Sequence, residues 1–164
     1  MVVSKKEIKN IADNLHKQNK KIVFTNGCFD IIHRGHIEYL KEAKKLGNVL
    51  IIGLNSDDSV KKIKGKNRPI NCEEDRAEIL SNLKPVDFVV TFYENTPYKL
   101  IKSIMPDILV KGGDWKIEEI VGSDVVVKNG GEVKSLKYFP DSSTSKVIKK
   151  IIALQDSKTQ KISY

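Results

Sequence analysis

Residues 22–36 read IVFTNGCFDIIHRGH, and this stretch decides the fold because it joins a strand directly to a helix. The β-branched and aromatic side chains at 22–24 predict a buried strand. Apolar side chains then recur at helical spacing from Ile37 to Leu46, which predicts a helix that begins close to the histidines. His33 and His36 therefore fall where a strand passes into a helix N-terminus.

A helix start of this kind favours a bound phosphate group. Its first N–H groups have no partners within the helix, and the helix dipole places partial positive charge beside them. Gly35 leaves the backbone open to a polyanion, and the two imidazoles can donate hydrogen bonds as charge builds on a phosphoryl oxygen. An ordinary helix start with two surface histidines is the simpler alternative, but it does not account for the spacing of Gly27, Phe29 and Asp30 ahead of them.

Strand-like runs alternate with helical patterns along the rest of the chain. The predicted strands are Ile22–Thr25, Val49–Leu54, Val86–Thr91, Ile108–Val110 and Val133–Phe139. This alternation predicts βαβ units, so we expect an α/β, Rossmann-like fold with a five-stranded parallel sheet and helices on both faces. We expect residues 1–20 to form an N-terminal helix that packs on the domain or on a partner, residues 21–155 to form the domain itself, and residues 156–164 to be a polar tail.

Two helix starts are predicted from residues that commonly begin helices. Asn71 and Glu74 have the spacing of a capping box, with Asn in place of the usual Ser or Thr. Pro97 follows Thr96 and is expected to be the first residue of another helix, because proline has no N–H to leave unpaired there.

Three more segments follow predicted strands, and in a parallel sheet ligands bind where the strands end. The first, residues 55–68, combines Asp57 with the cations Lys62, Lys64 and Arg68. Such cations can contact a triphosphate and neutralise a departing pyrophosphate. A solvated basic loop is the alternative, since lysine is frequent throughout the chain.

The second segment, residues 111–115, reads KGGDW. Its paired glycines allow a ligand to approach the backbone closely, and Asp114 can accept hydrogen bonds from hydroxyl groups. We therefore expect a sugar or polyol acceptor beside Lys111, whereas a plain glycine turn would account for the glycines alone. Trp115 either covers that acceptor or packs against the protein.

The third segment, residues 142–145, places four hydroxyl side chains at a predicted helix start. Ordinary N-capping accounts for one of them. Four hydroxyl groups supply side-chain oxygens next to free backbone N–H groups, which again suits a phosphate.

The composition bounds the remaining possibilities. A chain of 164 residues with no apolar run long enough to span a membrane predicts one domain in the cytoplasm, with no membrane partner. Cys28 and Cys72 have no metal-ligand spacing and are expected to be reduced thiols. The net charge of +8 suits a polyanionic ligand, yet no basic cluster is interleaved with aromatic residues, so we do not expect a nucleic-acid partner.

Residues 25–36 resemble the His-x-Gly-His signature of the nucleotidyltransferase superfamily, to which the cytidylyltransferases and pantetheine-phosphate adenylyltransferase belong. Residues 142–145 resemble the second signature of that superfamily, the hydroxyl run that opens its final helix and binds the nucleotide. Class I aminoacyl-tRNA synthetases share the first signature, but 164 residues leave no room for both tRNA recognition and amino-acid activation.

Two further blocks resemble one branch of the superfamily more specifically. Residues 109–114 (LVKGGD) and 129–133 (NGGEV) are similar to the D-glycero-β-D-manno-heptose 1-phosphate adenylyltransferases, whose activity is often the C-terminal half of a bifunctional enzyme with a sugar kinase. Without a kinase half, the chain resembles the stand-alone form, which makes ADP-heptose for surface polysaccharide while a separate kinase supplies the sugar 1-phosphate.

The resemblance implies an activity, its partners and its site residues. AMP would pass from ATP to the sugar phosphate in one in-line displacement, with Mg²⁺ bound mainly through the ATP phosphates and with no metal ligands from the protein. The chain would act as a homodimer or a larger homo-oligomer. The catalytic residues would be His33, His36 and Lys64. The nucleotide-binding residues would be Asn26, Gly27, Cys28, Phe29, Gly35, Arg68, Ser142, Ser143, Thr144 and Ser145. The substrate-binding residues would be Asp57, Lys62, Lys111, Gly112 and Asp114.

Two alternatives remain open. A related enzyme such as a glycerol-3-phosphate cytidylyltransferase would share the signatures, although those enzymes usually carry an Arg-Thr pair where this chain has Tyr138 and Phe139. A non-catalytic module that binds nucleotides or nucleic acid would suit the positive charge, but not the intact signatures.

Overall fold

The computed structural model describes residues 1–113, 115–137 and 143–159, with side chains up to residue 155. Five strands form one sheet: β1 (Ile22–Gly27), β2 (Val49–Asn55), β3 (Phe88–Phe92), β4 (Ile108–Gly112) and β5 (Glu132–Leu136). Their order is β3-β2-β1-β4-β5, and every neighbouring pair is parallel. The predicted five-stranded parallel sheet is therefore confirmed, although the strand ends differ from the predicted ones by a few residues.

Helices connect the strands, and one further helix precedes β1 and another follows β5 along the chain. They are α1 (Lys5–Lys17), α2 (Arg34–Lys44), α3 (Asp57–Lys64), α4 (Glu73–Ser81), α5 (Tyr98–Ile104), α6 (Ser123–Lys128) and α7 (Thr144–Thr159), with a 3₁₀ turn at Ile117–Glu119. Among the residues described, no helix is both long enough and apolar enough to cross a lipid bilayer.

The sheet is covered on both faces, as predicted. Alternate residues of a strand point to opposite faces, so Phe24 and Ile51 join one core cluster with α1 and α5, whereas Val23 and Leu50 join the other with α2 and α4. Both faces of the central strands are buried, which accounts for their continuous apolar sequences.

α1 belongs to one of these two cores. Ile8 and Ala12 are fully buried, and full burial of an Ile side chain stabilises a fold by roughly 1.5–3 kcal/mol. The helix begins with a capping box, in which the N–H of Glu7 donates to Ser4 Oγ (3.2 Å) and the N–H of Ser4 donates to Glu7 Oε2 (2.8 Å). Local and tertiary contacts together hold α1 on the sheet.

Two helix starts differ from the predicted ones. α4 begins at Glu73, with Cys72 as a cap that makes no side-chain hydrogen bond, so the predicted capping box at Asn71 is wrong. The Asn71 side chain instead donates to the backbone oxygen of Asp30 (2.8 Å), a long-range contact that local spacing does not reveal. Pro97 is the residue before α5 rather than its first residue.

The strand order places a crevice beside β1. The chain runs from β1 through β2 to β3 on one side and then crosses to β4 and β5 on the other. Strand order therefore reverses at β1, and the carboxyl ends of β1, β2 and β4 border the place where open parallel sheets bind ligands. Gly53 allows close packing under this edge, since a Cβ there would lie 2.7 Å from Phe24 Cζ.

Candidate active site

A cleft of about 570 Å³ opens at the carboxyl edge of the sheet. It lies among the segment between β1 and α2, the segment between α3 and α4, and the first residues of α7. The predicted site residues that line it are Asn26, Gly27, Cys28, Phe29, His33, Gly35, His36, Lys64, Arg68, Lys111, Gly112, Ser143, Thr144 and Ser145.

The remaining predicted residues have other positions. Lys62 is exposed on α3 and does not line the cleft. Asp57, at the start of α3, is also outside the lining, and its carboxylate forms an ion pair with Arg76 (2.7 Å). Ser142 and Asp114 lie outside the described residues. Most of the predicted site residues therefore line one cleft, but Lys62 and Asp57 do not.

His33 and His36 form a stacked pair at the N-terminus of α2. His33 is the residue before the helix, and His36 lies in its first turn. Their ring centroids are 3.9 Å apart, and the ring planes differ by 20°. Phe29 packs against His36 with ring centroids 5.3 Å apart, and the Phe29 backbone is left-handed (φ 46°). Left-handed backbone at a non-glycine residue persists where surrounding contacts impose it, and such residues cluster at functional sites.

Both imidazoles are neutral at pH 7. Burial lowers the pKa of His33, and burial together with the adjacent His33 lowers the pKa of His36 to about 4. Within the described part of the chain, the buried Nδ1 atoms of these two rings have no hydrogen-bond partner. A neutral imidazole carries one N–H, so each ring can donate one hydrogen bond to a phosphate oxygen.

Asp30 ties the segment before α4 to the histidine segment. Its buried carboxylate accepts hydrogen bonds from Nε of Arg68 and from the N–H groups of Ile70 (2.7 Å) and Asn71 (3.1 Å). Charge-assisted bonds of this kind are stronger than neutral ones. They hold Arg68 at the cleft, where its other guanidinium N–H groups can meet an anion.

Lys111 lies near the end of β4 and Cys28 directly follows β1, and both line the cleft. Lys111 Nζ donates to Asn26 Oδ1 (3.3 Å), and burial lowers the pKa of the Lys111 ammonium. Burial raises the pKa of the Cys28 thiol. Because a thiolate is the reactive form of cysteine, this raised pKa does not favour a nucleophilic role for Cys28.

A second helix N-terminus reaches the same cleft. Ser143 precedes α7, and its Oγ accepts a hydrogen bond from the N–H of Lys146 (3.2 Å). Thr144 Oγ1 donates to the backbone oxygen of Ile31 (3.3 Å), which holds the start of α7 against the histidine segment. Two helix dipoles therefore direct their positive ends toward one site.

The cleft is also positively charged. Its described cationic side chains are Lys64, Arg68, Lys111 and Lys137, and Asp30 is the one carboxylate among the described lining residues. Since Asp30 is already bound to Arg68, the net charge of the lining favours a polyanion.

Several lining residues were not found from the sequence. Asn55 is the last residue of β2, and Asn95 and Lys137 come after the ends of β3 and β5, so the rule that ligands bind at the carboxyl edge could have indicated all three. Tyr39 lies three residues after His36 on α2, a spacing that puts the two on one helix face. Its hydroxyl is 2.6 Å from Thr25 Oγ1.

The cytidylyltransferase-like family matches residues 24–150. The chain belongs to this family. Two of its curated relatives are bifunctional proteins named HldE. The one from Wolinella succinogenes is 54% identical over 150 residues, and the one from Haemophilus influenzae (strain PittEE) is 52% identical over 155 residues. These matches cover 92% and 94% of this chain but 31% and 33% of those proteins, so the chain spans about a third of the length of the curated relatives it matches.

Two solved structures share the fold. The lipopolysaccharide core biosynthesis protein from Thermoplasma volcanium GSS1 has a TM-score of 0.60 and 34% identity, over 73% of this chain and 97% of that one. Pantoate-beta-alanine ligase from Francisella tularensis has a TM-score of 0.61 and 18% identity, over 84% of this chain and 66% of that one. The second likeness concerns the fold alone.

Proposed function

We propose that this chain is an adenylyltransferase that transfers AMP from ATP to D-glycero-β-D-manno-heptose 1-phosphate, giving ADP-heptose and pyrophosphate. The observation that carries the proposal is the convergence of two helix N-termini on one basic cleft. One brings the stacked His33 and His36, and the other brings Ser143 and Thr144. A triphosphate and a sugar phosphate are the polyanions that such a cleft suits.

The proposed reaction is a single displacement at the α-phosphorus of ATP. An oxygen of the sugar phosphate forms a bond to that phosphorus, and the bond to the β-phosphate oxygen breaks. The attacking oxygen is already anionic at neutral pH, so no general base is required. The chain must instead overcome repulsion between anions and align them.

Each group of lining residues has a task in this proposal. His33 and His36 donate to the phosphate chain as charge develops, with Lys64 beside them. The start of α7 and Arg68 hold the outer phosphates. Lys111 receives the acceptor phosphate, and Asp114 is retained as a proposed ligand of the acceptor hydroxyls.

We keep Mg²⁺ as a companion of the triphosphate, whose charge it would partly neutralise. Among the residues described, no three His, Cys, Asp or Glu side chains form a metal-binding cluster. The one carboxylate described in the cleft, Asp30, is occupied by Arg68 and two backbone N–H groups. Phosphate oxygens and water would therefore be the main ligands, as is usual for this ion.

The heptose substrate is proposed on the resemblance at residues 109–114 and 129–133. Similarity to the HldE proteins and to a lipopolysaccharide core biosynthesis protein supports it. The proposal also places the chain in the cytoplasm, where ATP is made, and as a homodimer or larger homo-oligomer. A cytidylyltransferase is the second candidate, favoured by the family to which the chain belongs.

Pyrophosphate release tests the two candidates. Purified protein is given ATP or CTP, each with the heptose 1-phosphate, with glycerol 3-phosphate, or without an acceptor. We expect release that requires both ATP and the heptose 1-phosphate, together with formation of ADP-heptose. A preference for CTP and glycerol 3-phosphate would favour the second candidate. Binding of ATP with no release on any acceptor would contradict both.

A further inference from the structure

Arg76, on the inner side of α4, has a side chain that is 0% exposed, and it belongs to none of the sequence motifs. Its Nη1 donates to the backbone oxygens of Cys28 (2.6 Å) and Asn55 (2.9 Å). Its Nε donates to the backbone oxygen of Asn71 (3.0 Å), and its Nη2 donates to Asp57 Oδ1 (2.7 Å). One side chain thus joins the ends of β1 and β2 to the segment before α4.

The contact with Cys28 leads to the histidines. The Cys28 carbonyl belongs to the peptide group that enters Phe29, so a hydrogen bond to this oxygen restricts the rotation of that peptide. Phe29 has the left-handed backbone and packs its ring on His36. Because such a backbone needs external constraint, the bond from Arg76 helps to fix the surface against which His36 rests.

The contact with Asn71 leads to the other side of the cleft. Asn71 accepts from Arg76 through its carbonyl and donates to Asp30 through its N–H (3.1 Å) and Nδ2 (2.8 Å). The Asp30 carboxylate in turn binds Nε of Arg68. The Arg68 guanidinium at the cleft is therefore linked to the buried Arg76 guanidinium through Asp30 and Asn71.

We propose that Arg76 is a positioning residue that orients His36 through the backbone and Arg68 through the segment before α4. This inference rests on the proposed function, because it gives these contacts a purpose in phosphoryl transfer. A buried ion pair is by itself weak evidence for a stabilising role, because apolar replacement of both partners is often neutral or stabilising. A planar guanidinium with five N–H groups can reach four acceptors in fixed directions, which a lysine ammonium cannot reproduce.

Two variants of the full chain test the proposal, Arg76→Lys and Arg76→Met. Lysine keeps a charge beside Asp57 but has a single nitrogen. Methionine removes every donor and leaves Asp57 at a helix start, where the dipole stabilises a carboxylate. The matched control is Lys44→Met, because Lys44 forms a partly buried ion pair with Asp87 (2.5 Å) at the amino edge of the sheet, away from the cleft.

The first readout is turnover on protein shown by circular dichroism to be folded at the assay temperature. We expect kcat for pyrophosphate release to fall on the order of 10²-fold in both Arg76 variants, the scale for a small misplacement of catalytic groups. The control variant is expected to have a lower Tm but an unchanged kcat. Loss of stability therefore cannot imitate the expected result.

The second readout is a pH titration of the His33 and His36 ring protons by NMR, which needs no turnover. Looser packing of Phe29 is expected to raise the pKa of His36 toward its ordinary value of about 6.5 in the Arg76 variants, but not in Lys44→Met. Folded Arg76 variants with parental kcat and a parental His36 titration would overturn the proposal. If the parent releases no pyrophosphate with any acceptor, the proposed function fails, and the titration still decides whether Arg76 positions His36.

Discussion

Two neutral imidazoles at a helix N-terminus can follow charge on a phosphoryl group without adding a net charge of their own. The stack of His33 on His36 and the packing of Phe29 fix both rings before a ligand arrives. Donors that are already oriented contribute most to transition-state stabilisation, because no reorganisation is needed when the charge develops.

Removal of either ring tests this role. We expect His33→Ala and His36→Ala each to lower kcat by roughly 10²–10³-fold, the scale for loss of one preorganised donor, with the fold intact. Pyrophosphate release by the purified variants measures the effect. His16→Ala is the matched control, since His16 lies near the end of α1 and outside the cleft. Near-parental turnover in both cleft variants would contradict the catalytic assignment.

The low pKa of His36 also makes the stability of the fold depend on pH. The pKa is about 4 in the folded chain and about 6.5 in the unfolded chain. Between these values the unfolded chain binds more protons, so the free energy of unfolding rises with pH. This contribution is fully present above about pH 6.5 and is lost as the pH falls toward 4, by at most about 1.4 kcal/mol per pH unit.

His36→Gln, which does not titrate, should therefore lose less stability on acidification than the parent. Urea unfolding at about pH 5 and pH 7, within and above the window, measures the difference for both chains. An equally steep loss in the two chains would show that another group is responsible.

At the scale of elements, the start of α7 has two tasks, because Ser143 both caps the helix and faces the cleft. Ser143→Ala combined with Thr144→Val should weaken ATP binding more than AMP binding, since helix N-terminal hydroxyls suit the outer phosphates. Calorimetric titration with each nucleotide measures this, and we expect a loss of about tenfold or more for ATP, on the scale of one hydrogen bond to a charged group.

The α7 variant removes a helix cap as well as the proposed phosphate contacts, so a control must show what loss of a cap alone does to ATP affinity. Ser4→Ala removes the corresponding cap from α1, at a cost of about 1 kcal/mol in stability, and it is expected to leave ATP affinity unchanged. Equal losses for ATP and AMP in the α7 variant would remove these hydroxyls from the phosphate site.

The elements differ in how far the sequence could predict them. The strands were found because a central parallel strand is apolar on both faces, whereas their ends depend on pairing with neighbouring strands. Lys64 reaches the cleft but Lys62 does not, since residues two apart point to different sides of a helix. The role of Arg76 could not be predicted from local sequence patterns, because its contact with Cys28 spans 48 positions of the chain.

At the scale of the whole molecule, stability is shared between the cores on the two faces of the sheet. Ile8→Ala should lower the free energy of unfolding by about 2–5 kcal/mol, since it opens a cavity in the core beneath α1. Ile79→Ala is the control: its side chain is 42% exposed, and we expect a clearly smaller loss. Urea unfolding measures both. Similar losses would mean that α1 does not belong to the cooperative core.

The excess of cations in the cleft has a consequence for how ligands are detected. Any polyanion that binds the folded chain at this cationic cleft also stabilises the fold, and at concentrations well above its Kd the gain rises with the logarithm of its concentration. Inorganic phosphate and pyrophosphate would share this effect with ATP. A thermal-shift screen in phosphate buffer would therefore begin from a protein that is already partly liganded, and it would understate nucleotide affinity relative to the same screen in an uncharged or cationic buffer.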